Sequence, residues 1–374
     1  MHPTLLVGPY DWDPERFPKK EFTDRIEVFW QQISDASCST AIVYGDSRNH
    51  AELAYLSNFV PKLGPALMLI PREGEPTLLV SGAPNMSPAA QRLTWIEKIQ
   101  PLQDAGRTVI HWMTGSSGSV GRHAVLVAGE YMRSALHRSL SEGFGSENRP
   151  ADATSSLRTL MRRKRPRELA AIREACAILN AATKTLAEAK SSGASVTTAV
   201  LEAERTAYQS GAQDVRTLFS VDGGQTLRPF EVPINHAVDP LQAYIAVCNA
   251  GYWGEGFVAL AASKDPALTK ATDGLKAATQ IATPGIKSCD LVRVAAEGIK
   301  PYGFHAMTAA NVGNSIGLSL EEAPLLWADG EEELEAGSVY TLRVGVSDGR
   351  EHHAFASAMI YVHHDGNEVL WSAI

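Results

Sequence analysis

Apolar residues in FTDRIEVFWQQISD (22–35) recur three and four positions apart, which predicts an amphipathic helix. The apolar runs that follow are short and closed by Gly, Pro or Asp: STAIVYGD (39–46), PALMLIP (65–71) and PTLLVSG (76–82). They predict buried strands. From about 22 to 140 the two textures alternate, as in a small α/β domain with a mixed sheet. The Gly/Ser-rich stretches GSSGSVG (115–121) and SEGFGS (141–146) read as loops.

The texture then changes. SSLRTLMRRKRPRELAAIREACAILNAATKTLAEAK (155–190) is a run of helix formers, with Pro166 suited to a first helical turn and Leu169, Ile172, Cys176 and Leu179 three or four apart. SVTTAVLEAERTAYQSG predicts a second helix ending at Gly211. Strands are expected in TLFSVDGGQ, PLQAYIAVCNAGYWGEGFVALAA, VYTLRVGVSD and FASAMIYVHHDG, with helices in DPALTKATDGLKAATQIATPG and SCDLVRVAAEGIKPYG. The order helix, helix, strands, helix, helix, strands is a doubled unit. The reading divides the chain at 1–153 and 154–374. Arg162, Arg163, Lys164 and Arg165 read as the solvated face of a domain junction rather than as a localisation or nucleic-acid signal.

Composition narrows the classes. The 374 residues suit two domains, and 44% hydrophobic with 20% charged residues suits a globular chain with a sizeable core. A net charge of -8 leaves no basic field to hold a phosphate backbone, so no nucleic-acid partner is expected. No apolar run approaches the roughly 18 residues of a membrane span. MHPTLLVGPYDWDPERF carries acids and prolines where a signal peptide would carry lysines, so a cytoplasmic protein is expected. Cys38, Cys176, Cys248 and Cys289 are scattered and read as small hydrophobes in a reducing compartment.

Several strings taken together resemble the pita-bread fold family of creatinase, proline-specific aminopeptidases and methionine aminopeptidase. LRTLMRRKRPRELAAIREACAI resembles its linker helix, and CNAGYWGEGFVAL a central strand. GFHAMTAANVGNSIGLSLEEAP resembles the segment bearing a His-Gly pair, YTLRVGV stands where Glu-Pro-Gly is usual, and AMIYVHHDGNEVL resembles the closing strand. GDSRNHAELAYLSNF resembles the creatinase and prolidase N-terminal domain. The resemblance implies a small N-terminal α/β domain followed by a C-terminal pita-bread α+β domain. Metal-dependent members hold two divalent ions with two Asp, a His and two Glu. Laid on this chain, those positions fall on Asn249, Leu260 eleven residues on, Asn314, Arg343 and near Ser357. An aliphatic chain and a guanidinium cannot ligate, so no metal and no other cofactor is expected. Glu321 and Ala310 stand where such members have further histidines, which argues against their usual peptide hydrolysis. Creatinase keeps the fold without metals and hydrolyses a C–N bond with an imidazole base.

The same frame suggests residues for chemistry. His236, in EVPINHAVDP, precedes the strand and is the candidate general base or acid, an imidazole being matched to neutral pH. Arg228, Phe230 and Glu231 share that segment, where a guanidinium and a carboxylate could hold a zwitterion or simply form a solvated hairpin. Strand alternation puts Trp253, Glu255 and Phe257 on one face, with Tyr252 and Gly254 opposite. A carboxylate between aromatics is costly to bury without a partner, which marks Glu255. Arg343, on the apolar strand TLRVGV, needs an acid or an anionic ligand. Asn249, Asn314 and Glu322 join the candidates, as does one of His352 and His353, since neighbours on a strand face opposite ways. The aromatics Phe230, Trp253, Phe257, Phe304 and Phe355 suit a substrate with an apolar body. Creatinase-like members are homodimers, and the resemblance offers Lys62 as a residue reaching the partner's pocket. The expected function is metal-independent hydrolysis of a C–N bond in a small polar molecule. Alternatives are a lyase or isomerase, a non-catalytic binding module, or a metallopeptidase whose ligands lie in another register.

Overall fold

A computed structural model describes residues 7–35, 37–82, 87–116, 123–146, 148–350 and 353–373. The chain divides into two compact units, Met1–Met161 and Arg162–Ile374.

In the first unit α1 (Lys19–Gln32) buries Phe22, Phe29 and Trp30. β1 (Thr40–Gly45), α2 (Ala51–Ser57), β2 (Ala66–Pro71), β3 (Thr77–Val80), β4 (Lys98–Pro101), α3 (Ala105–Ser116), β5 (Ala124–Val127), α4 (Ser134–Phe144), β6 (Ala151–Asp152) and α5 (Thr154–Arg162) follow. The sheet order is β4-β3-β2-β1-β5-β6. It is mixed: β1 lies antiparallel to β2 and parallel to β5. β1 is buried at every position, which is why TAIVYG reads as a continuous apolar run instead of alternating. One expectation is corrected here. SEGFGS is not a loop up to its last two residues, because α4 continues through Phe144 before Gly145 turns out of it at φ 75°. Gly143 lies within that helix where α3 approaches closely: a Cβ there would stand 2.9 Å from the Gly106 Cα. Of GSSGSVG, Gly115 and Ser116 end α3, and 117–121 lie outside the described residues.

The second unit repeats helix pair and sheet. α6 (Pro166–Ser191) starts with proline in its first turn, and the Glu168 carboxylate accepts the Arg165 N–H at 3.1 Å. α7 (Val196–Gln209) is capped by Ser195, whose Oγ accepts from the Thr198 N–H at 3.2 Å. β7 (Asp214–Ser220), β8 (Leu241–Asn249) and β9 (Tyr252–Leu260) form a three-stranded antiparallel sheet. β7 starts and ends earlier than TLFSVDGGQ predicted, and 221–225 is turn. Ala250 and Gly251, at φ 49° and 82°, close the β8–β9 hairpin in the two-residue turn that needs both residues left-handed.

α8 (Pro266–Ile281) and α9 (Ser288–Ile299) then lead into β10 (Gly303–Phe304), β11 (Asn311–Ser315), β12 (Glu322–Trp327), β13 (Val339–Ser347), β14 (His353–His363) and β15 (Gly366–Ser372). This sheet runs β12-β11-β13-β14-β15, with β10 also on β13. One face of β13 and β14 meets α8 and α9 through Leu275, Leu291, Ile299, Leu342, Val344 and Ile360. The other face meets β9. The helical order and the doubling expected from sequence hold. β11 and β12 went unread because they are short and their pairing slips register around Asn314. Among the described residues no helix is long and apolar enough to cross a membrane.

Candidate active site

The site grows from the alternation of β9. Tyr252 and Gly254 turn to α6, where the Tyr252 hydroxyl donates to Glu168 at 3.0 Å and a Cβ on Gly254 would sit 3.0 Å from the Ala175 backbone. Glu255 and Phe257 turn the other way, onto β14. Their N–H groups donate to Met359 Sδ at 3.2 Å and Ser357 Oγ at 2.6 Å, respectively. Glu255 is therefore carried into a dry interior, 1% exposed. A carboxylate there requires partners.

It has them. Arg343 on β13 donates through Nε at 3.1 Å and through Nη2 to Glu255 Oε1. The Tyr244 hydroxyl of β8 donates to Oε2. Arg343 Nη2 also donates to Asn314 Oδ1 at 2.9 Å, and the Asn314 amide donates to the carbonyls of Ser315 and Leu320 at 2.6 and 2.9 Å. Burial, then the Glu255 charge and hydrogen bond, push the Tyr244 phenol well above its ordinary value, so it stays a donor. Arg343 Nη1 donates to no protein acceptor among the described residues, and the arginine side chain keeps 20% exposure.

Behind this cluster stands a second buried pair. Lys164 donates to Glu322 at 2.7 Å, their side chains 1% and 9% exposed. The other Glu322 oxygen accepts the N–H groups of Leu318 and Ser319 at 2.7 and 3.3 Å. Glu322 thus shapes the turn whose Leu320 carbonyl holds Asn314. This corrects the reading of the 162–165 cluster as a solvated face: Lys164 is buried, and Arg162 pairs with Glu335 at 2.9 Å.

The register laid on the strands moves by five residues. Asn249 pairs with Tyr252 beside the hairpin turn and donates to Glu174 at 3.1 Å, whereas Leu260 pairs with Leu241 at the open end. Those two positions cannot share a site. The two residues eleven apart that meet are Tyr244 and Glu255, two rungs from direct pairing. Tyr244, Glu255, Asn314, Arg343 and Ser357 supply one carboxylate, already committed to a guanidinium, with a phenol, an amide and a hydroxyl. That donor set does not fit a pair of divalent ions. Among the described residues no three His, Cys, Asp or Glu side chains gather where a metal could sit.

Other candidates lie elsewhere. His236 is exposed, its carbonyl accepting from the Val196 N–H, and Glu231 is exposed; no hydrogen bond or ion pair joins either to the cluster among the described residues. The structure does not bring this expected base to Glu255. Phe230, 40% exposed, meets Phe219 edge-on at 6.0 Å, and exposed Arg228 donates to Thr226 Oγ1 at 3.1 Å. Trp253 is buried under the Arg216 guanidinium, 4.5 Å from its ring centroid. Lys62 is an exposed residue of the first unit, its N–H bonded to the Val7 carbonyl. His353 stands edge-on to His305 at 5.2 Å, and His352 lies outside the described residues. Missed by sequence reasoning were Tyr244 and Lys164 as site partners. Tyr244 had a signal: it stands eleven residues before Glu255, the one aromatic residue of a mostly apolar strand.

The sequence profile of metallopeptidase family M24 matches residues 170–364, and the chain belongs to that family. Its fold is a mixed α/β N-terminal domain followed by the pita-bread domain. By family it stands among hydrolases of peptide C–N bonds. The prolidase from Pyrococcus horikoshii OT3 is similar at TM-score 0.76 and 16% identity, over 93% of this chain and 97% of that one. The X-Pro aminopeptidase from Thermotoga maritima MSB8 reaches 0.75 at 17%, with the same coverage of 93% and 97%. The N-terminal domain of FACT complex subunit SPT16 from Cicer arietinum (chickpea) reaches 0.68 at 17%, over 95% and 97%. At such identities the likeness is one of fold. No curated protein matches the chain in sequence.

Proposed function

We propose that this protein is a metal-independent hydrolase of a C–N bond in a small polar molecule, with Arg343 in the part that a cation plays in metal-dependent relatives. The observation that carries this is the grip of Glu255 and Asn314 on one edge of the guanidinium, which leaves Nη1 without a protein acceptor among the described residues. A guanidinium so fixed is preorganised to hold a carboxylate or a polarised carbonyl oxygen in a partly desolvated place. It costs no reorganisation when charge develops there. Proton transfer then falls to an imidazole, as metal-bound water is not offered by this donor set. The reading also takes the protein as a cytoplasmic homodimer, with Lys62 of each copy reaching toward the other's cleft.

Elemental analysis of purified protein tests it, together with thermal shifts by small carboxylates and amides. Substoichiometric metal, and a carboxylate-induced shift lost in Arg343→Met, are expected. Two equivalents of divalent ion per chain would overturn it. One observation favours a second reading, a binding module without catalysis: Glu255 is fully answered within the protein, and no described imidazole touches the cluster. The fold-mate from the FACT complex is a subunit of an assembly, and a chain that no small molecule stabilises would belong with this second reading.

A further inference from the structure

We infer that His353, with His305 set edge-on beside it, is the acid–base group of this site. The matching substrate is a small carboxylate with an apolar or aromatic body, whose scissile C–N bond lies at the end remote from the carboxylate. This rests on the reading of Arg343 given above.

Among the described residues, His353 is the imidazole whose two ring nitrogens are both shut from solvent and both without a hydrogen-bond partner. Leaving a buried donor and acceptor unmade is expensive, so both nitrogens are open to a partner from outside the chain, a water or a substrate. His305 is already committed. Its Nδ1 accepts the Met307 N–H at 3.2 Å, and the Gln225 backbone is a further partner. Burial first, and then the charge His353 would carry, lower its affinity for a proton. The two rings stand at 89° with centroids 5.2 Å apart, and Phe355 meets His305 at 4.8 Å. The His353 backbone is fixed as well: Gln242 donates to its carbonyl at 2.7 Å and accepts from the Phe355 N–H at 3.2 Å.

Strand geometry relates this imidazole to Arg343. His353, Phe355 and Ser357 share one face of β14, and Ser357 is the residue opposite Arg343. Four residues of strand put the two ends about 13 Å apart along the backbone. Between them Phe355 stacks on Phe257 at 5.2 Å, and Phe257 meets Tyr244 at 5.0 Å. A substrate spanning these features carries its acceptor end to Arg343 and presents its C–N bond to His353, its flat or apolar body displacing the row between, where Phe257 and Phe355 are 7% and 1% exposed. There a water gives its proton to a neutral His353 nitrogen as its oxygen bonds to the acyl carbon. The imidazolium returns that proton to the amide nitrogen as the C–N bond breaks, leaving a carboxylic acid and an amine.

The probe 4-acetamidophenylacetate has this layout, and phenylacetate lacks the amide. Both are titrated into full-length protein carrying 15N-histidine, with the imidazole nitrogens followed by NMR. The amide probe should shift the His353 nitrogens, and His353→Gln should weaken it about tenfold while barely affecting phenylacetate. Wild-type protein should release acetate and 4-aminophenylacetate, and added imidazole should restore that release to a folded His353→Gly variant, a rescue no structural role would produce. Failure of wild type to bind the amide probe overturns the substrate class. Binding at His353 without hydrolysis, or hydrolysis lost in His236→Gln but not in His353→Gln, overturns the acid–base role. If Arg343→Met loses phenylacetate while His353→Gln changes nothing, this inference alone fails. If Arg343→Met binds phenylacetate like wild type, the Arg343 reading fails.

Discussion

A carboxylate buried to 1% exposure has to be answered where it stands, and Glu255 is answered by a guanidinium and a phenol from two other strands. Removing one partner of such a pair strands the other. Arg343→Met should therefore cost about 3–5 kcal/mol in urea unfolding, and the double variant with Glu255→Gln clearly less than the sum of the singles. A double variant that is simply additive would show the pair to be uncoupled. His305 gives a pH prediction. Its proton affinity is lowered from the ordinary 6.5 in the fold, by burial and then by His353, so the unfolded chain takes up the proton first as pH falls. The stability contributed by neutral His305 is full above that value and declines below it. Unfolding midpoints measured from about pH 8 to about pH 5 should fall, and His305→Gln should flatten the fall. At this scale the sequence marked Glu255 and Arg343 by the cost of burying charge on apolar strands. It could not pair them, because two side chains 88 positions apart are brought to hydrogen-bond distance only by packing one sheet on the other.

At the scale of elements, β9 shows why strand alternation was readable. The row that carries Tyr252 is glycine at its next two positions, where neighbours press closely: Gly254 meets α6, and a Cβ on Gly256 would lie 2.0 Å from the Trp371 ring of β15. Gly256→Ala should destabilise the protein by about 1–3 kcal/mol through overpacking, and Trp371→Leu should relieve part of that loss. The turn at 317–322 depends instead on charge. Lys164→Met should leave Glu322 unpaired, destabilise by about 3–5 kcal/mol and speed amide exchange at Leu318 and Ser319, with Lys164→Arg restoring part of the protection. Unchanged exchange at those two amides would show that Glu322 holds the turn alone. A basic run at a helix junction reads as solvated because most are. Lys164 is the exception, as its partner lies 158 residues away.

For the whole molecule, the doubled order of helices and strands and the family both point to the pita-bread domain, while the metal question turns on a handful of side chains. With this donor set, added chelator should leave the unfolding temperature unchanged and added Mn2+ or Zn2+ should not raise it, since a ligand stabilises only the state that binds it. A chelator-sensitive transition would reverse the conclusion. Light scattering should give twice the chain mass if the homodimer reading holds. Fold was legible because helix and strand periods are local, repeated over many residues and tolerant of small errors. The site was legible only in part. A hairpin pairs residues by distance from its turn, so a five-residue slip in register exchanges Tyr244 and Glu255 for Asn249 and Leu260.

The amino-acid sequence alone determined the alternation of elements, the doubling of the second unit and the presence of charges that needed partners, since each follows from residues close together in the chain. Tertiary structure decided which strand faces meet, and so which acid answers which base, that His236 stays in solvent, and that His353 is left with two unanswered nitrogens. Those outcomes depend on contacts between segments far apart in sequence, whose geometry is set by sheet packing and strand register rather than by any local preference.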